Sequence, residues 1–473
     1  MLKIPTLLVL LCSLVHADSI ICCGGDRVFI VDKTGQETWT WQASDSPQIP
    51  ANAHALFRTT DECKPVGEHI LITSSSGGVA LIERASKHCA FYTQAKNAHS
   101  ACLLPGMRVA VAASTGGDHL YLFNRRKSGL EIKPMKAIPL KGAHGVIWDA
   151  ASETCWALGN TVLIKLDRNF EIVHTYPLPT EGGHDLSRAK DGRLLITTNT
   201  AVYRFDRTTG RFDTDPQLGD QAKVKSVDEH PVSGKRTWQQ ASALHWWGHE
   251  IHVSNRDAIS MPDERLYKVR WDVPQATPES ETIDTLKRQG VKVFESDGHV
   301  KELVANQLEL QDDDLHWFGW LPLVTDISLE HTAITDKGIA HLAACDRLEW
   351  LNLWQTAIGD EGLKVIGGFK RLQHLPIGGT NITDEGMHHL RDLKDLIYLG
   401  LRETRIGDAG LRHLTGLTQL ESLNLMETPV TDASIPILLG LEKLKTLRLE
   451  GCRISPAGVA RLRSEMPQCL IVY

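Results

Sequence analysis

The sequence has 473 residues, of which 42% are hydrophobic and 23% charged, and its formal net charge is −7 at pH 7. This composition is ordinary for a soluble globular protein, and the length is enough for two or three domains. The negative charge and the lack of a long basic run argue against nucleic-acid binding.

Residues 1–17 have the features of a secretory signal peptide. Lys3 supplies the positive charge, residues 6–15 are mostly apolar, and Val15-His16-Ala17 fits a cleavage site. No later segment is apolar over the roughly eighteen residues that a spanning helix needs, so we expect no membrane span. The sequence therefore predicts an exported protein, either periplasmic or extracellular.

Residues 18–273 contain short strand-like runs separated by Gly, Asp and Asn. Examples are residues 27–32, 69–73 and 78–83, in which apolar and polar residues tend to alternate. The runs come in sets of four, and each set occupies a length typical of a propeller blade. We therefore expect an all-β propeller of about six blades.

The ends of this region carry a family resemblance. The opening Ser19-Ile-Ile-Cys-Cys-Gly-Gly-Asp-Arg-Val, the stretch Val224-Lys-Ser and the closing Leu266-Tyr-Lys-Val-Arg-Trp resemble an uncharacterised family of exported bacterial six-bladed propellers of planctomycete type. The resemblance implies the fold and no activity, because that family has none assigned.

Four histidines recur at similar places in the predicted blades, namely His54, His99, His144 and His184. Each follows a small residue and stands at the start of an innermost strand, so four imidazoles would converge near the propeller axis. Neutral imidazole is a common metal ligand, which predicts a divalent transition metal there. Lys225 has the matching place in the next blade and favours an anionic ligand such as a uronate or a phosphate.

Two interpretations of these histidines stay open. Propeller lyases, such as peptidyl-hydroxyglycine lyase and oligogalacturonate lyase, hold an axial metal with similarly placed histidines, but that likeness is one of fold alone. The alternative is structural, with each ring buried between blades and hydrogen-bonded to a turn. Trp246-Trp247, which lies among three further histidines, is predicted to be part of a strand.

Residues 274–290 are predicted to be a linker and a capping helix, and residues 291–473 a leucine-rich repeat domain. Thr, Asp and Gly recur every 24 residues between apolar positions, as at Thr332 and Thr356 or Asp336 and Asp360. We expect each Thr hydroxyl to satisfy backbone groups of neighbouring turns, and each Thr-Asp or Gly-Asp pair to begin a helix. The units resemble 24-residue leucine-rich repeat proteins, which implies an α/β solenoid.

Residues between the leucines of each repeat face the concave side of such a solenoid. There we expect an aromatic and cationic patch, typical of a partner-binding surface or of docking between domains. The patch consists of Trp350, Trp354, His374, Tyr398 and Arg402.

Since no complete catalytic set is visible, the sequence favours an exported binding protein over an enzyme. Its ligand would be a protein or a saccharide, held in a propeller axial pocket or on the repeat face. One alternative is a metal-dependent lyase or hydrolase of an anionic saccharide or peptide, and another is a structural module of a cell-surface assembly.

Overall fold

The computed structural model describes residues 19–473. The predicted signal peptide, residues 1–17, lies outside the described residues. The chain divides into two compact units, the first ending at Pro278 and the second spanning Glu279–Tyr473. No helix among residues 19–473 has both the length and the apolar character needed to cross a membrane.

Residues 19–278 form six antiparallel sheets of four strands each, which are the six blades of a β-propeller. The strands are, in chain order, β1 (Ile20–Gly24), β2 (Arg27–Val31), β3 (Glu37–Trp41), β4 (Thr60–Val66), β5 (His69–Ser74), β6 (Gly78–Glu83), β7 (Cys89–Gln94), β8 (Ala98–Leu104), β9 (Arg108–Ala113), β10 (His119–Asn124), β11 (Lys136–Pro139), β12 (Gly145–Asp149), β13 (Thr154–Leu158), β14 (Val162–Leu166), β15 (Ile172–Pro177), β16 (Asp185–Arg188), β17 (Leu194–Thr197), β18 (Val202–Asp206), β19 (Arg211–Thr214), β20 (Val224–Glu229), β21 (Arg236–Gln240), β22 (Glu250–Val253), β23 (Ile259–Ser260) and β24 (Lys268–Trp271). Two short 3₁₀ helices, Ala43–Asp45 and Ala51–Phe57, connect the first two blades.

The first blade is completed by the last strand of the propeller. Its strand order is β24-β1-β2-β3, and Ile20 pairs with Trp271. The innermost strands of the blades contact one another in the order β24, β4, β8, β12, β16 and β20, and β20 contacts β24 again. The ring is therefore closed by hydrogen bonds between the two ends of the unit.

Burial differs between the inner and outer strands of a blade. In β5, Ile70, Leu71 and Ile72 are fully buried, so both faces of the strand are covered. The outermost strand β15 is mostly exposed. Neighbouring blades pack face to face near the axis and diverge outward, which is why apolar residues occupy both faces of the inner and middle strands.

Residues 279–473 carry a mixed nine-stranded sheet in which β25 and β26 are antiparallel and the remaining neighbours are parallel. The strands are β25 (Lys292–Ser296), β26 (His299–Val304), β27 (Asp326–Ser328), β28 (Trp350–Asn352), β29 (His374–Pro376), β30 (Tyr398–Gly400), β31 (Ser422–Asn424), β32 (Thr446–Arg448) and β33 (Leu470–Val472). The α-helices are α1 (Pro278–Arg288), α2 (Leu315–Gly319), α3 (Asp336–Ala340), α4 (Asp360–Ile366), α5 (Asp408–Leu411), α6 (Ile435–Leu439) and α7 (Pro456–Glu465). The 3₁₀ helices of this unit are Asp312–Asp314, His341–Ala344, Gly386–Leu390, Arg412–Leu414 and Asp432–Ser434.

The recurring Thr residues of this unit are buried and bonded within their own repeat. Thr332 donates to the carbonyl oxygen of Leu329 at 2.7 Å, and Thr428 donates to that of Leu425 at 2.6 Å. We expected these hydroxyls to bond backbone groups of neighbouring turns; this is wrong, because each acceptor lies in the same repeat as its Thr. The bond from each Thr hydroxyl to the carbonyl oxygen three residues earlier stabilises the bend that follows each strand.

The recurring Asp residues link each repeat to the next. Asp408 accepts from the backbone N–H of Thr431 at 2.9 Å, from the Thr431 hydroxyl at 2.6 Å and from the Ser434 hydroxyl. Asp360 accepts in the same way from Thr383, at 2.8 Å and 2.7 Å. A Cβ at Gly386 would lie 2.3 Å from Asp360 Oδ1, which explains why Gly recurs two residues after Asp.

Candidate functional site

Six side chains meet at one end of the propeller channel, one from the start of each innermost strand. His99 and His144 have ring centroids 4.5 Å apart, and those of His144 and His184 are 5.2 Å apart. Lys225 Nζ lies 3.0 Å from His184 Nε2. We call this group the axial ring; its members are Asp61, His99, His144, His184, Lys225 and Tyr267.

Three members of the axial ring stand at irregularities in the strand pairing. The register shifts between Thr60 and Glu62, between Ala98 and Ser100, and between Val224 and Ser226, so that Asp61, His99 and Lys225 are the extra residues. A β-bulge leaves one residue outside the ladder and redirects its side chain. A β-bulge therefore recurs at the start of the innermost strand in three blades.

The structure brings His99, His144, His184 and Lys225 together but not His54. His54 lies in the 3₁₀ helix Ala51–Phe57, where its Nε2 is 3.0 Å from the carbonyl oxygen of Ile49. The second blade begins at Thr60 rather than near His54, and Asp61 takes the place in the axial ring. The small-residue-His pattern misled the assignment because the connection before β4 contains the same pattern by itself.

The axial ring opens into a cavity of about 620 Å³. Trp246 and Trp247 lie at this cavity in a loop, not in the strand that the sequence predicted, and Trp246 is 70% exposed. The remaining walls are rich in hydroxyl and amide side chains; these are Thr59, Thr60, Ser75, Ser114, Thr115, Asn97, Asn160 and Asn199.

The histidines of the axial ring are held neutral. Burial, and secondarily the neighbouring cations, lower the pKa of His184 to about 3. Burial likewise lowers the pKa of His144 to about 4, and that of His99 well below its usual value. Burial raises the pKa of Asp61 to about 7. At neutral pH the cavity thus presents uncharged imidazoles that can both donate and accept hydrogen bonds.

We expect His144→Asn to make the protein less sensitive to acid. The unfolded chain protonates this histidine at a pKa near 6.5 and the folded chain at about 4, so stability present above pH 6.5 is lost as the pH falls towards 4. At about 1.4 kcal/mol per pKa unit, the wild type loses about 3 kcal/mol more free energy of unfolding than the variant over this window. Urea denaturation at pH 7 and at about pH 4 measures the difference.

The exposed His174 supplies the matched control. In His174→Asn the free energy of unfolding should fall between pH 7 and about pH 4 by as much as in the wild type. Asp61 changes stability in the opposite direction over the same window, since its pKa is raised, and the comparison of variants cancels this contribution. An equal decrease in the free energy of unfolding, from pH 7 to about pH 4, in the wild type and in His144→Asn would contradict the prediction.

A buried cluster of charged side chains lies next to the axial ring, where Lys268 Nζ is 3.5 Å from the backbone oxygen of His99 and 3.4 Å from that of His144. Arg270 bridges Glu62 and Asp185 at 3.0 Å and 2.5 Å, and Lys268 bridges the same two carboxylates at 3.3 Å and 3.1 Å. Lys64 lies 3.4 Å from Glu62. We call these five residues the charge layer; all five are buried.

The charge layer holds its carboxylates ionised. Burial by itself raises the pKa of Glu62, but Arg270, Lys268 and Lys64 together hold that pKa well below its ordinary value. The same balance between burial and Arg270 lowers the pKa of Asp185. Sequence reasoning missed the layer, although each of its carboxylates directly follows a residue of the axial ring, at Asp61-Glu62 and His184-Asp185.

The predicted patch in the second unit lies along three adjacent strands. Trp350 and His374 stack with ring centroids 4.7 Å apart and an interplanar angle of 28°, and His374 and Tyr398 follow at 6.5 Å. Arg402 lies 4.8 Å above the ring of Trp354. Trp350 is 40% exposed.

Metal binding by the histidines stays a prediction. Among residues 19–473, no three His, Cys, Asp or Glu side chains are arranged so that they could hold a metal ion together. The nitrogens of His184 face Lys225 and Asn199, and a cation near them opposes metal binding. Elemental analysis of protein purified without chelator or affinity tag tests the prediction.

A family model described as "Family of unknown function (DUF6528)" matches residues 23–286. A comparison with curated proteins gave no match. Among solved structures, the chain is similar to an internalin from Listeria monocytogenes, with 24% identity and a TM-score of 0.32, over 36% of this chain and 47% of the internalin. The chain thus spans about half the length of that internalin.

Two further structures are similar to parts of the chain. The β-propeller domain of Cps50 (Swd1) from Myceliophteria thermophila has 13% identity and a TM-score of 0.36, over 55% of this chain and 87% of that domain. A leucine-rich repeat protein from Leptospira interrogans has 20% identity and a TM-score of 0.27, over 33% of this chain and 39% of that one.

Proposed function

The chain belongs to the family of unknown function DUF6528, and we propose that its propeller is a binding protein that holds a small polyhydroxylated ligand, of the saccharide class, in the axial cavity. The observation that carries the proposal is the convergence of residues from all six blades on one cavity, with two tryptophans from the last blade. A cavity of about 620 Å³ lies within the range of small-molecule sites.

The chemistry of the walls matches a ligand with many hydroxyl groups. Each hydroxyl of such a ligand is both donor and acceptor, as are the neutral imidazoles, the amides and the hydroxyls of the wall. Several wall groups already have partners, as where Asn97 Oδ1 lies 3.0 Å from His99 Nε2. The side chains of Asn160 and Thr115 make no hydrogen bond within the described chain and remain available to a ligand.

The indole rings supply the apolar part of the site. Aromatic faces pack against the C–H face of a sugar ring, and the exposed indole of Trp246 offers such a surface at the cavity. We expect wild-type protein to bind a mono- or disaccharide saturably at one site, and Trp246→Ala to weaken that binding about tenfold or more. Isothermal titration calorimetry over a panel of neutral and acidic sugars measures both quantities.

Trp238→Phe is the matched control, because Trp238 stacks on His252 and does not line the cavity. It should leave the affinity unchanged. Failure of every sugar to bind the wild type, or an affinity in Trp246→Ala equal to that of the control, would overturn the proposal.

The second unit is, in this proposal, a leucine-rich repeat solenoid built of 24-residue units. Its strand face, with the patch of Trp350, Trp354, His374, Tyr398 and Arg402, contacts a protein partner. The parallel pairing of β27 to β33 and the buried leucines beneath it support this description. The protein acts outside the cytoplasm, as the signal peptide predicted for residues 1–17 requires.

A further inference from the structure

Lys225 differs from the other buried cations at the propeller axis. Lys64, Lys268 and Arg270 all contact Glu62, and two of them contact Asp185 as well. Lys225 is only 4% exposed, yet none of the described carboxylates forms a salt bridge with it. Its ammonium group lies 3.0 Å from the imidazole Nε2 of His184 and 5.2 Å from the centre of the indole ring of Trp246, both of which are uncharged.

A buried charge without a counter-charge is unfavourable. Burial, together with Lys223 and Lys268, lowers the pKa of Lys225 to about 8, so most molecules carry the charge at neutral pH. The protein therefore keeps an uncompensated positive charge beside a cavity. His184 and Trp246, the two groups that Lys225 contacts, both line that cavity.

The hydrogen bonds of His184 are also incomplete. Its Nε2 lies 3.0 Å from the donor Lys225 Nζ and 2.7 Å from the acceptor Asn199 Oδ1. A neutral imidazole nitrogen either donates or accepts, so only one of these contacts is a hydrogen bond at a time. The other ring nitrogen, Nδ1, is buried and has no partner. His184 itself is 7% exposed.

We propose that the ligand of the axial cavity carries a carboxylate, as a uronic acid does, and that Lys225 binds this carboxylate. The inference rests on the proposed function, since it specifies the ligand of the same cavity. An anionic oxygen beside Lys225 Nζ accepts from the ammonium group, and His184 Nε2–H is then free to donate to Asn199. One anionic group thus gives the Lys225 ammonium group an acceptor and resolves the competition at His184 Nε2, while His184 Nδ1, an acceptor in this tautomer, still has no partner.

The charges favour a single carboxylate over a phosphate. Lys225 is the one buried cation next to the cavity, among described residues, that lacks a carboxylate partner, and it offers a compact monovalent charge. The arginines that line the cavity, Arg58 and Arg265, are exposed, and Arg265 lies 5.3 Å above the ring of Trp247. A phosphate dianion would call for a second cation beside Lys225.

Matched sugars test the inference by isothermal titration calorimetry on the full chain at pH 7. The probes are glucose, galactose and mannose, each with its uronic acid and its 6-phosphate, so that only the group on carbon 5 changes. We expect one uronate to bind at least about tenfold more tightly than its hexose. We expect Lys225→Met to reduce the affinity for that uronate to the level of the hexose, whose own affinity changes little.

A second measurement needs no ligand. Lys225→Met removes the uncompensated charge and should raise the Tm of the free protein, whereas Lys64→Met breaks a buried ion pair and should lower it. A lowered Tm in Lys225→Met would mean that the lysine is structural and would overturn the inference. Lys225→Gln, which keeps a hydrogen-bond donor without the charge, provides a second variant for the binding assay.

The outcomes separate the two proposals. If hexoses bind as tightly as uronates, or Lys225→Met and Lys225→Gln leave the preference unchanged, the carboxylate inference is overturned and the binding function stands. If a 6-phosphate binds more tightly than the uronate, a phosphorylated ligand replaces it. If no sugar of any class binds the wild type, the proposed function itself fails.

Discussion

Glu62→Leu should lower the free energy of unfolding of the propeller by about 3–5 kcal/mol. Glu62 is fully buried and is the carboxylate that Arg270, Lys268 and Lys64 share. Without it, Arg270 and Lys268 keep Asp185 as a carboxylate partner, but Lys64 loses the carboxylate with which it pairs. A loss of this size is a large part of the roughly 5–15 kcal/mol that stabilises a domain, so the variant unfolds at much lower urea concentration.

The exposed Glu68, in the turn after β4, supplies the control, because Glu68→Leu should be nearly neutral. The double variant Glu62→Gln/Lys64→Met removes one charge of each sign and should recover part of the loss. Urea denaturation followed by circular dichroism compares the variants. If Glu62→Leu and Glu68→Leu had the same free energy of unfolding, the charge layer would contribute nothing to the stability of the propeller.

Asp408→Ala should loosen the second unit locally, by about 2–4 kcal/mol. The substitution removes acceptors for the N–H and hydroxyl of Thr431 and for the hydroxyl of Ser434, and each lost bond contributes about 0.5–1.5 kcal/mol. Hydrogen exchange measured by mass spectrometry should show faster exchange of amides in β31 and β32, while exchange in the propeller strands stays unchanged.

Asp395→Ala tests the same kind of substitution at an exposed position in the turn before β30, where we expect little effect. If Asp408→Ala exchanges no faster than Asp395→Ala, the bonds between repeats do not hold the unit together. A change that spread to the propeller would equally contradict the local role assigned to Asp408.

The sequence was sufficient to predict the propeller, because its strands are short apolar runs bounded by turn residues. It was not sufficient to place Asp61 in the axial ring. A bulge depends on how two strands pair, and nothing in the local pattern distinguishes Asp61 from a ladder residue. His54 matched the expected pattern better and lies in a connecting 3₁₀ helix instead.

The candidate site also includes residues that only the closed ring brings together. Tyr267 Oη lies 3.4 Å from His99 Nδ1 although the two residues are far apart in the chain. Trp246 and Trp247 were predicted as strand because two adjacent aromatics favour strands, yet they lie in a loop. The 24-residue repeats predicted the spacing of the Asp residues. Only the structure shows that each Asp side chain accepts hydrogen bonds from the following repeat.

The completion of the first blade by β24 has a consequence for how the propeller folds. Lys268 and Arg270 belong to this last strand, while Glu62 and Asp185 belong to strands made earlier. Until β24 inserts, these two carboxylates lack the cations that Lys268 and Arg270 supply. Closure of the ring and pairing of these buried carboxylates therefore occur together, and because the step joins the two ends of the unit we expect it to be slow.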